Sequence, residues 1–200
     1  MRFSLKRTSF AVALVAASAV ALPGPAQELA IDPVHSDVGF SVSHMVISKV
    51  HGSFTKLKGA IVLDQQRPER SSVTATIDAA SIDTHDAGRD KDLKSANFLD
   101  VKKYPRITFV SDAVRRNGEA WLARGKLTLH GVTREIEIPF HLTGPIKDPW
   151  GNTRIAVAAG PLTLDRRDFG IVWNKTLETG GLLVGNQVEV RIQLEAVMKK

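Results

Sequence analysis

Six histidines, at positions 35, 44, 51, 85, 130 and 141, are the first residues that could do chemistry. Imidazole serves most often as a metal ligand or a general base, and both uses require partners that converge on it. No two of these histidines form an HxH or HxxxH pair, and the chain has no cysteine to add a thiolate. We therefore expect no metal site and no cofactor. Ser36, Ser41, Ser43, Ser53 and Ser95 offer hydroxyls, but none lies in a Gly-x-Ser-x-Gly elbow. Asp83, Asp86, Asp90, Asp92 and Asp100 crowd one segment, where carboxylates read as solvated or capping groups. The residue types point to a binding protein rather than an enzyme.

Apolar contact remains. Phe40, Val42, Phe54, Phe98, Phe109 and Trp173 are candidates to line a ligand cavity, with Phe140 and Phe169 among the other aromatics weighed. Ordinary core packing is the competing role for each. His44 lies two residues after Val42, so in an extended strand both side chains share one face. It reads either as a hydrogen-bonded core histidine or as a polar contact for a ligand head group. Arg89 and Asp90 read as a structural ion pair, and His35 as a fastener of the first strand, after Asp32-Pro33.

These side chains need a scaffold, and the hydrophobic pattern supplies it. Leu127 and Leu129, then Ile136 and Ile138, alternate with polar residues around His130-Gly131, the pattern of a β-hairpin. Alternation recurs near 38–43, 54–63, 73–77, 107–114, 155–164 and 188–197. About eight strands result, with no crossover helix between them, so the sheet should be antiparallel. Met45–Val50 reads as a helical turn, 86–99 as a short helix and its exit, with Thr84 or Asp86 as the cap, and 65–72 as a loop. The fold class is all-β, an antiparallel barrel or a sandwich with one or two short helices. A closed barrel of this size leaves room for one ligand.

Residues 1–26 stand apart. Arg2, Lys6 and Arg7 precede an uncharged run from Phe10 to Leu22, and Gly24 and Ala26 supply small residues for cleavage. This is the pattern of a secretory signal peptide. Its removal leaves 174 residues, 27–200, and lowers the net charge from +6 to +3. So small a charge, with no Lys/Arg run, argues against a nucleic-acid groove. A cysteine-free exported chain has core packing alone to hold it.

Several segments resemble the YceI family. They are Ile31-Asp32-Pro33-Val34-His35-Ser36 with 38–44, then His51-Gly52-Ser53-Phe54, then Arg89-Asp90 with 93–98. They continue in Tyr104-Pro105-Arg106-Ile107-Thr108-Phe109, in 127–133, and in Arg167-Asp168-Phe169-Gly170-Ile171. Members often carry His at the position of Asp92 and a second aromatic at that of Leu99. The resemblance implies a lipocalin-like barrel in the periplasm. It also implies a long-chain isoprenoid lipid, of polyprenyl phosphate or quinone type, held inside, with transient membrane contact and room for a homodimer. Two other roles stay open: a stress-response or interaction protein with a barrel packed solid, and a quinone-carrying accessory of a membrane redox protein. N-terminal sequencing of the protein from a periplasmic fraction should begin at Gln27. Intact Met1 in the membrane fraction would exclude export by cleavage.

Overall fold

The computed structural model describes residues 26–178 and 180–198. The expected leader, residues 1–26, lies outside them except for Ala26. Eleven strands are described. They are β1 (Gln27–Ile31), β2 (Asp37–His44), β3 (Ser48–Phe54), β4 (Leu57–Leu63), β5 (Ser72–Asp78), β6 (Ile82–Asp83), β7 (Arg106–Asn117), β8 (Ala120–Leu129), β9 (Val132–Lys147), β10 (Thr153–Asp165) and β11 (Val184–Met198). One helix, α1 (Ala87–Leu93), and short 3-10 turns at 68–70, 79–81 and 166–169 complete the described elements.

Eight strands close a ring in the order β1-β4-β5-β7-β8-β9-β10-β11, with β11 returning to β1. Each pairing is antiparallel, as the alternation predicts. The three extra strands are continuations. β1 and β2 share one edge of β11, Ala30 and Ile31 facing Val197 and Ala196, and Asp37–His44 facing the stretch from Val184 to Gln193. Likewise β3 leads into β4, and β5 into β6, which pairs with β3 at Phe54↔Ile82. The run from Phe54 to Leu63 breaks at Thr55-Lys56 because Ser81 captures both amides, one with its carbonyl and one with its hydroxyl (3.1 Å each).

One expectation needs correction. Met45–Val50 is not a helical turn. Met45 and Val46 take positive φ (54° and 66°), and Ile47 N donates to the His44 carbonyl at 3.2 Å, so the segment is a tight β2–β3 hairpin turn. The short helix and exit expected over 86–99 are present, the helix ending at Leu93. Asp86 caps its start, accepting the Arg89 amide at 2.7 Å, and looped chain follows. The other hairpin matches its reading. His130 and Gly131 form a two-residue turn between Leu129 and Val132, with φ of 51° and 75°.

Leu29, Ile61, Leu63, Ile155 and Ala196 plug the end of the barrel that holds the β1–β11 seam. That seam is also tied by charge. The Arg154 guanidinium donates from Nη1 to Asp32 (2.9 Å) and Glu195 (3.1 Å), and from Nε to Asp148 (3.0 Å). His35 adds a 3.0 Å contact to Asp32, as its assignment to the first strand anticipates. Hydrogen bonds from His35 and then Arg154 hold the Asp32 carboxyl at about 2 rather than 3.8. Because the folded value is depressed, this stabilisation is present above the ordinary carboxylate range and is lost as pH falls through about 2. Arg154→Met should lower the melting temperature at neutral pH and flatten its fall between about pH 4 and 2, measured by thermal melts across that range. An unchanged acid limb would show that the seam does not depend on this cluster.

Candidate functional site

The strands run between the plugged end and an opposite end that is built differently. There the wall between β9 and β10 parts. Their pairing stops at Ala159↔Phe140, and β10 shifts register between Ala159 and Leu162. The 3-10 turn after β10 bridges the gap. Its Phe169 carbonyl meets His130 Nδ1 at 3.0 Å, and its Asp168 carbonyl accepts Arg134 Nε at 3.1 Å. On the other side, 84–105 covers the space beside β6. Arg89 and Asp90 do not pair with each other there. Both bind Thr84: Asp90 accepts its hydroxyl at 2.6 Å, and Arg89 Nε donates to it at 2.8 Å. This fixes α1 over the barrel end.

An apolar cavity of about 320 Å³ lies inside, within the range of small-molecule pockets, about 300–1,000 Å³. It reaches from Leu63 of the plug and Leu142 packed against it to Leu93, Phe98, Ile171 and Val184 at the other end. Along β11, Val188, Val190, Ile192 and Leu194 all border it. Six residues at ~3.3 Å each make that wall ~20 Å long, so the space is elongated. The barrel is not packed solid.

Phe40, Val42, Phe54, Phe98 and Phe109 all border the cavity. Phe40 and Phe54 pack with ring centroids 5.8 Å apart. His44 and Trp173 do not border it. His44 keeps the face of Val42, and its cross-strand partner Val184 does reach the cavity, but the strand has passed the mouth by that residue. Trp173 stands behind the cap, its ring 5.2 Å from that of Phe98. Leu99, where the family often has an aromatic, is part of the lining, whereas Asp92 is exposed.

The sequence reading missed Arg166, the one charged residue among the described residues that border the cavity. Only 5 % of it is exposed. Its Nε donates to Gly185 O (3.0 Å), its Nη1 to Ile171 O (2.7 Å) and Trp173 O (2.9 Å), and its Nη2 to Asn186 Oδ1 (3.2 Å). Every acceptor is uncharged. The adjacent Asp165 is engaged instead by Arg167, at 2.6 Å, and that hydrogen bond holds its carboxyl at about 2. Burial pushes the Arg166 guanidinium below its ordinary value. A buried cation without a carboxylate partner is costly unless something else compensates it. The signal was present: Leu162 and Leu164 point inward, and Arg166 is the next residue in that phase.

Asp32, His35 and Glu195 form the described cluster with metal-ligand potential, their atoms within 4.8 Å of one another. Arg154 already sits on both carboxylates, so the charge a cation would bring is supplied.

Residues 29–196 match the model of the YceI-like domain. A UPF0312 protein of Pectobacterium carotovorum is 36% identical over 198 residues, covering 98% of this chain and all of that protein. The crystal structure of Burkholderia cenocepacia BcnA superposes with a TM-score of 0.71 at 24% identity, covering 83% of this chain and 99% of that one. A polyisoprenoid binding domain from Saccharophagus degradans superposes with a TM-score of 0.64 at 19% identity, covering 86% and 98%. These superpositions establish a shared fold.

If the Phe98 cap gates the mouth, Phe98→Ala should admit an apolar fluorophore faster than the wild type in stopped-flow mixing. It should also cost about 3–5 kcal/mol of stability, since Phe98 is buried. Uptake at the wild-type rate would place the access route elsewhere.

Proposed function

The chain belongs to the YceI-like domain family, and on that premise we propose that it is a periplasmic carrier of a long-chain isoprenoid lipid, not an enzyme. The observation that carries this reading is the elongated apolar cavity, with five of the expected lining residues around it. The name of the Saccharophagus degradans domain supports the ligand class. A solid barrel acting only through its outer surface does not fit that cavity.

Energetics locate the selectivity. Burying one CH₂ from water contributes ~0.8 kcal/mol, so a tail of ~40 carbons would nominally give ~32 kcal/mol. That exceeds the ceiling of about 18–21 kcal/mol for noncovalent complexes. Such a lipid waits in a bilayer, however, where its tail is already buried. Net affinity against the membrane is then modest, and the head group decides what is kept. The assignment of that contact to His44 gives way to Arg166, which offers a buried positive charge at the cavity wall. This favours a phosphate head over a quinone, because a hydrogen bond to a charged group contributes about 1.5–3 kcal/mol.

Native mass spectrometry of the protein purified from its own cells should find a co-purifying isoprenoid lipid. Ala159→Phe, which fills the cavity from the middle of β10, should abolish it while the barrel still folds. A bare wild-type chain would overturn the carrier reading. In competition, wild-type protein should prefer polyprenyl phosphate over the matching polyprenol by about tenfold or more. Equal retention would remove Arg166 from head-group selection.

A further inference from the structure

We infer that the β2–β3 hairpin tip, Met45-Val46-Ile47, is a bilayer-insertion element that brings the cavity mouth to the membrane surface. The inference rests on the carrier reading for its purpose and on separate observations for its substance.

Three observations converge on the tip. The first is exposure: Val46 is 70% exposed and Ile47 83%, with Met45 at 39%, three consecutive large apolar residues facing water. The second is backbone conformation. Met45 and Val46 both hold positive φ, the geometry in which hairpin turns favour Asn-Gly. A β-branched residue at positive φ is an outlier, so the fold places Val46 there against its local preference. Such an outlier points to function. The third is position. Met45 N donates to Leu183 O at 2.8 Å, and Val184, the next residue, borders the cavity. The Val46 side chain lies over Gly181, where an added Cβ would come within 2.9 Å of it.

The partner follows from charge. No residue from 38 to 48 is charged, and none from 180 to 188. The tip itself is therefore uncharged, with His44 and Ser48 flanking it, and the exposed charges beside it are Lys175 and Glu178, of opposite sign, on the segment that pairs with 181–183. Behind the tip Lys49 is paired with Glu189 at 2.7 Å. An uncharged apolar tip favours the hydrocarbon boundary of a bilayer over a polar protein face. A bilayer is also where an isoprenoid must be collected. The occupant is thus a lipid membrane, bound through apolar contact with no need of anionic head groups.

The test uses the purified protein and vesicles of phosphatidylcholine alone. Wild type should float with the vesicles, equally at 0.15 M and 1 M salt in order of magnitude, since no ion pair is involved. The triple variant Met45→Asn, Val46→Gly, Ile47→Thr should reduce the bound fraction roughly tenfold, as binding scales with the apolar area inserted. It installs the residues the turn prefers, so its melting temperature should equal or exceed that of wild type. Ala159→Phe should float like wild type although it carries no lipid, which separates docking from cargo. Wild type that stays with the soluble fraction would overturn the inference, as would full binding by the triple variant. Binding abolished at 1 M salt would also overturn it, by assigning attachment to charge. A tip that serves a protein partner would give the first of these outcomes.

Discussion

Closure of the sheet is the constraint on which the rest depends. Eight strands must return to the first, and they do so across a seam of two residue pairs, Ala30↔Val197 and Ile31↔Ala196. An open edge there would leave backbone groups unpaired and the apolar inner face exposed to water. The seam is short because β11 divides one edge between two strands, β1 and then β2. Its compensation is local: the Leu29 and Ala196 side chains, both fully buried, lie under it, and Arg154 gathers Asp32, Asp148 and Glu195 beside it. Each of those ion pairs is partly shielded, and a network sharing one guanidinium orders fewer side chains than three isolated pairs would.

With one end sealed, the opposite end is free to be irregular. There strand pairing gives way to pieces held by capping and by buried donors: Thr84 under α1, His130 on the Phe169 carbonyl, Arg166 on three carbonyls and an amide. Hydrogen bonds of this kind satisfy the carbonyls of Phe169, Ile171, Trp173 and Gly185 without extending the sheet. The cavity is the space between a well-packed seal and a cap assembled from loops.

Under the proposed carrier role, the apolar wall and the capped end divide the labour of recognition. The apolar wall can discriminate little among prenyl chains, since each methylene gains about as much in the bilayer as in the barrel. Discrimination needs a polar group in a dry place, and Arg166 is the charged group that the fold puts there. Its four acceptors fix its direction and none is a carboxylate, although Asp165 acts on its charge without a hydrogen bond.

The sequence by itself determined the all-β class, the antiparallel pairing and the placing of Phe40, Val42, Phe54, Phe98 and Phe109 on the lining. Those depend on alternation, a local property: Phe40 with Val42, or Val188 through Ile192, must face one side once the chain is extended. The His130-Gly131 turn was legible for the same reason, since positive φ has a residue signature. The Met45-Val46 turn was not, because the residues there violate that signature. Breaks such as Thr55-Lys56 were also illegible, since the partner that captures those amides, Ser81, is distant in sequence. The roles of Arg166 and His44 were decided by tertiary structure alone. Alternation gives a face, but whether that face looks into the cavity, past its mouth or onto neighbouring carbonyls depends on where the other strands end.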